Sequence, residues 1–92
     1  MGIKKEDCLA VAKILYKAYY KEQIIDDKKV GRAFISKNQF AADLANSPFM
    51  KKGFSTYRMK EWEKAMYLFG YLDEVDLFTY EILLPQEEGG NE

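Results

Sequence analysis

Histidine is absent from the 92 residues, and cysteine appears once, as Cys8. Imidazole acid–base catalysis, Ser-His-Asp and Cys-His nucleophiles and histidine-containing zinc sites are therefore excluded. Cys8 falls on an apolar stripe and reads as a small buried hydrophobe. The acids Asp73, Glu74 and Asp76 lack the glycine and closing glutamate of an EF-hand loop, so no calcium site is expected. No pair of carboxylates is spaced to argue for acid–base work. The expectation is a protein that binds rather than catalyses, with no cofactor and no metal.

The side chains left for binding are cations and their polar neighbours. Lys37 and Asn38 open one segment, Lys51 and Lys52 sit in a loop, and Ser55, Thr56, Tyr57, Arg58, Lys60 and Lys64 follow. The net charge of −1 hides an asymmetry. All fourteen Lys and Arg lie in residues 1–66 with eight Asp and Glu, an excess of six positive charges; residues 67–92 carry seven acids and no base. Such a split fits a basic working surface and an acidic end, or simply solvated faces with uneven composition.

The elements that must hold these residues follow from periodicity. Cys8, Val11, Ala12, Leu15 and Tyr19 recur at helical spacing and predict a first helix from about Lys4 to Ile25. Lys13, Lys17 and Lys21 form a second stripe on it at steps of four. Ile14, Ala18 and Ile25 lie off the main stripe and suggest a homodimer contact through this helix. Residues 26–31 read as a loop, and Arg32–Ile35 as a brief strand. Ser36 is placed to cap a helix by accepting from the Gln39 amide, with the Gln39 side chain reaching back to Ser36 and Ile35 stapled to Phe40. That helix is expected to run to about Asn46, before Pro48.

Residues 47–54 read as a loop, with room for an extra short helix. A third helix starts at Ser55 or Thr56, its buried stripe being Met59, Trp62, Met66 and Phe69, and Gly70 stops it. Asp73–Asp76 is turn-like. Leu77–Leu84 alternates as a strand, with Phe78, Tyr80, Ile82 and Leu84 on one face. Residues 85–92 read as an acidic tail.

In this order the chain resembles the winged helix-turn-helix superfamily over about Lys4 to Leu84. Ile35–Ala45 is similar to the first helix of the motif, Ser55–Met66 to the second, and Phe69–Asp73 to the step into the wing. The resemblance implies an α+β, mostly helical single domain over residues 1–84: three helices and a short C-terminal β-hairpin. It also implies a regulator of transcription or replication that binds double-stranded DNA, reading the major groove with helix 55–69. Arg58 is then a candidate for two-pronged pairing with guanine; Lys37, Asn38, Lys51 and Lys52 are candidate phosphate contacts. Two features depart from the family: the loop between the motif helices is long, and the wing is acidic where family wings carry Lys or Arg. They keep open a protein-binding adaptor or inhibitor of the phage or mobile-element type on the same scaffold, using an acidic or aromatic surface.

A chain of this length fits one domain, and its 48% apolar fraction with fourteen aromatics is globular composition. No apolar run approaches the roughly 20 residues of a membrane span. The N-terminus is charged at once and lacks a signal pattern, and a lone cysteine needs no oxidising compartment, so the cytoplasm is the expected location.

Overall fold

A computed structural model describes residues 3–50 and 56–84. The elements in chain order are α1 (Lys5–Tyr19), β1 (Tyr20–Ile25), β2 (Lys28–Ser36), α2 (Lys37–Ala45), a 3-10 turn (Pro48–Met50), α3 (Thr56–Leu68), β3 (Leu72–Asp76) and β4 (Thr79–Ile82). The class is α+β, about half helical. The strands make one antiparallel sheet in the order β1-β2-β4-β3. The sheet is thus larger than the C-terminal hairpin expected from the sequence.

The main correction concerns residues 20–31. The first helix ends at Tyr19 rather than Ile25, and the chain continues as a strand paired with β2 from Tyr20↔Ala33 to Ile25↔Lys28. Only Asp26 and Asp27 form the turn, both with positive φ (54° and 65°). That is the pattern of a two-residue type I′ hairpin, whose twist matches the flanking strands. Two consequences follow. Lys21 leaves the helical lysine stripe, and Ile25 stands on the hairpin, so it shares no helix face with Ile14 and Ala18. The Tyr20 ring lies across Gly31, where a Cβ would collide with it. The glycine therefore lets the aromatic cover the strand.

β2 runs straight into α2. The Gln39 amide donates to Ser36 Oγ at 3.0 Å, as expected of the cap. The return half of the box is not made: the Gln39 side chain donates to Asp43 at 2.7 Å, one turn further on. Asp43 also accepts from the Tyr19 hydroxyl at 2.6 Å, which ties α1 to α2. At the far end of α3, Gly70 has φ 88°, Tyr71 N–H donates to the Met66 carbonyl at 2.8 Å and Gly70 N–H to that of Tyr67 at 3.1 Å. This is a Schellman stop, and it turns the chain into β3.

The helices cover one face of the sheet. Ala33 and Ile35 from β2, Leu72 and Ile82 point into the core and meet Phe40 and Leu44 of α2 and Met59, Trp62 and Met66 of α3. Cys8, Val11, Ala12 and Leu15 of α1 complete it. On the opposite face Arg32 donates twice to Glu81, at 3.0 and 2.9 Å, and its guanidinium lies 5.0 Å from the Phe34 ring centre. Glu81, on the strand face opposite Tyr80 and Ile82 by the alternation, is buried beside Arg32.

The C-terminal hairpin differs from the alternation expected. Asp73–Asp76 is strand, with a register irregularity between Glu74 and Asp76. The turn is Leu77–Phe78, where Phe78 N–H donates to the Asp76 carboxylate at 2.8 Å. Phe78 is 75% exposed rather than on the core face with Tyr80 and Ile82. The acidic tail over residues 85–92 lies outside the described residues.

Candidate nucleic-acid interface

α3 is a two-faced helix because its apolar residues repeat at steps of three and four. Met59, Trp62 and Met66 are buried. At 100° per residue the opposite face carries Tyr57, Lys60, Lys64, Tyr67 and Leu68. All five are exposed, Tyr57 by 73% and Leu68 by 75%. Neither Lys60 nor Lys64 makes an ion pair among the described residues. The result is a tyrosine-flanked pair of lysines one turn apart on the exposed face of the helix.

Arg58 sits on the flank of this helix, half-buried, and donates to Glu61 at 3.1 Å. It is turned away from the lysine face by roughly 120° or more on the helical wheel. Asn38 is exposed in the first turn of α2. Thr56 is the first residue of α3. Lys51, Lys52 and Ser55, expected to contact DNA, lie outside the described residues.

Lys37 is drawn into a different arrangement. It begins α2, and its ammonium donates to the Glu74 carboxylate of β3. The same ammonium lies 5.1 Å from the centre of the Tyr80 ring, which in turn meets Phe40 edge-on at 5.5 Å. The bond to Glu74 raises the Lys37 pKa above its ordinary value, so it is a cation at every physiological pH. Burial raises the Glu63 carboxyl above its ordinary value, opposed by Lys37 and Lys60. Tyr80 is raised in the same way by burial, with Glu63 adding to it.

These groups line a shallow cleft of about 400 Å³ between α3 and the β3–β4 hairpin, walled by Lys60, Glu63, Lys64, Tyr67, Glu74 and Tyr80. The fold therefore brings Lys37, Lys60 and Lys64 to one region and places Arg58 on another flank. Glu63, Tyr67, Glu74 and Tyr80 are not among the site residues that the sequence singles out. Tyr67 had a readable signal, three residues after Lys64 on the same helical face. The Lys37–Glu74 pairing had none, since 37 residues separate them.

Beyond the cleft, the hairpin is acidic at Asp73, Glu74 and Asp76 and ends in apolar Leu77 and Phe78, 76% and 75% exposed. Among the described residues no cluster of His, Cys, Asp or Glu is placed to hold a metal ion. No helix among them is long and apolar enough to cross a membrane. The chain matches no protein-family model, no curated protein and no solved structure.

Proposed function

We propose that this chain is a winged helix-turn-helix regulator of transcription or replication that binds double-stranded DNA by laying α3 in the major groove. The observation that carries the reading is the outward face of α3, where Tyr57, Lys60, Lys64 and Tyr67 stand exposed to solvent beside the open cleft. The topology supports it: α2 and α3 fall between β2 and the β3–β4 hairpin, with β2 against β4, the order a winged helix requires. Lysines one turn apart reach phosphates or base edges, and the tyrosines supply flat amphipathic contact. The acidic hairpin is kept off the phosphates, so affinity comes from the helix.

Fluorescence anisotropy with a labelled mixed-sequence duplex, titrated over a range of salt, tests this. Each phosphate contact contributes a slope of about 0.9 in log K against log salt, so losing two lysines lowers it by about 1.8. The Lys60→Ala/Lys64→Ala variant is expected to show that loss while melting like the parent, because alanine favours the helix. No binding by the parent at low salt, or an unchanged slope in the variant, refutes the reading.

A second reading rests on the hairpin tip. Val75, Leu77 and Phe78 are exposed among three acids. An acidic, apolar loop fits a basic protein surface with a hydrophobic pocket, as an adaptor or inhibitor uses. A stoichiometric protein complex that survives nuclease and is lost on Phe78→Ser favours it over DNA.

A further inference from the structure

The Lys37–Glu74 pair sits at the cleft beside the proposed DNA-reading face of α3, and its two halves come from different parts of the fold. Lys37 is the first residue of α2, directly after the Ser36 cap; in a helix-turn-helix this position faces the phosphate backbone. Glu74 comes from the edge strand β3, which has no strand on its outer side among the described residues. Its side chain is half-exposed, while that of Lys37 is 28% exposed. The pair is thus open to solvent, and the ammonium is engaged by the carboxylate. Tyr80 backs the ammonium with its ring. A carboxylate held this way presents the charge and the acceptor oxygens that a phosphate would present.

We infer that Glu74 is a built-in phosphate mimic that occupies Lys37 in the free protein, so that a DNA phosphate must displace it before Lys37 can contribute to binding. This rests on the DNA-binding reading above and adds a regulated contact to it. The wing then acts as a brake on non-specific binding: a duplex held only loosely does not repay breaking the pair, whereas a well-seated one does. Glu74 is the better candidate for this than Asp73 or Asp76, because among the described residues it alone of the three accepts from a cationic side chain. The same pairing explains how an acidic hairpin can sit beside a DNA-reading helix, since one of its charges is already neutralised from within.

The test is the anisotropy titration with the full chain and the same mixed-sequence duplex, comparing the parent, Glu74→Gln, Lys37→Ala and the double variant. Glu74→Gln keeps the size and the half-exposed position of the side chain, and a matching thermal melt verifies that the fold is retained. Releasing one cation steepens the salt slope by about 0.9, so Glu74→Gln binds roughly eightfold tighter at about 0.1 M salt, a gain that fades toward 1 M. Lys37→Ala changes the parent's slope little, and the double variant loses the gain. If the parent binds and Glu74→Gln matches it in affinity and slope, the inference is overturned. It is also overturned if the gain persists in the double variant, because simple relief of repulsion then accounts for it. If neither parent nor Glu74→Gln binds at low salt, the DNA-binding reading itself fails.

Discussion

The hairpin at Asp26–Asp27 carries the sharpest structural prediction, because it decides between the strand seen here and the longer helix that periodicity suggests. Both residues have positive φ, 54° and 65°. Residues with a Cβ pay roughly 1–2 kcal/mol for that region, and Asp somewhat less because its short polar side chain bonds locally. Asn-Gly is the favoured pair for such a turn. Glycine at the second position removes the Cβ clash but returns about 0.5–1 kcal/mol as extra unfolded-state entropy. The Asp26→Asn/Asp27→Gly variant should therefore gain about 0.5–1 kcal/mol net, the strain relief and the entropy cost largely offsetting at position 27 and the better left-handed tolerance of Asn adding the rest. At about 4–8 °C per kcal/mol for a domain this size, the melting temperature rises by roughly 2–8 °C. Asp27→Val must move it the other way, because a β-branched side chain fits this region worst. Circular dichroism melts at moderate salt, which screens the lost charges beside Lys28 and Lys29, give the answer. If α1 instead ran on to Ile25, glycine at 27 would change little and valine would be harmless; that outcome refutes the hairpin.

Two further outcomes follow from local contacts. Ser36→Ala removes the side-chain acceptor for the Gln39 amide and is expected to cost about 1 kcal/mol in a denaturant or thermal melt, with Ser36→Asp restoring it; equal melts for Ser36→Ala and the parent reject the cap. Cys8 is fully buried, and burial with nearby Asp7 pushes its thiol from 9.0 up to about 11. It should resist alkylation at neutral pH until the chain is unfolded. A thiol whose folded pKa is raised stabilises the fold below its unfolded pKa, so this contribution is intact below about pH 9 and is lost as pH climbs toward 11. A melting temperature for Cys8→Ser that falls over that window as steeply as the parent's rules out the thiol as the cause.

The parts of the fold that could be read from sequence are those set by neighbours in the chain. Met59, Trp62 and Met66 fall at steps of three and four, and the helix they define carries its lysines on the other face by arithmetic alone. Ser36 caps α2 because the acceptor and the Gln39 amide are three residues apart. Gly70 stops α3 for a similarly local reason. The end of α1 was not readable from the Lys13–Lys17–Lys21 spacing, because what ends it is the ladder with residues 28–33. Those hydrogen bonds join residues 20–25 to the next segment across the Asp26–Asp27 turn and outweigh a weak helical repeat. Two signals did point to them: the paired β-branched Ile24 and Ile25, and two consecutive aspartates tolerant of positive φ. The exposure of Phe78 has a related cause. Strict alternation carried back from Thr79 to Leu77 puts Phe78 on the core face, but Leu77 and Phe78 form the turn that precedes β4.

The candidate site divides along the same line. The lysine face of α3 is a property of one helix and is visible in the sequence. The cleft beside it is made where α3 faces the β3–β4 hairpin, with Lys37 at the start of α2 reaching Glu74 at its edge, so its charges pair across long separations. A count of acids and bases assigns Glu74 to an acidic end that repels DNA. The fold gives it a cation instead and leaves Asp73 and Asp76 as the hairpin charges facing solvent. Under the proposed DNA reading, a duplex seated on α3 would meet two lysines without an ion partner among the described residues, one lysine already engaged, and a hairpin whose strands carry no base. Under the DNA reading, this geometry favours recognition over tight non-specific hold, because Lys37 is engaged by Glu74 until a seated phosphate displaces it.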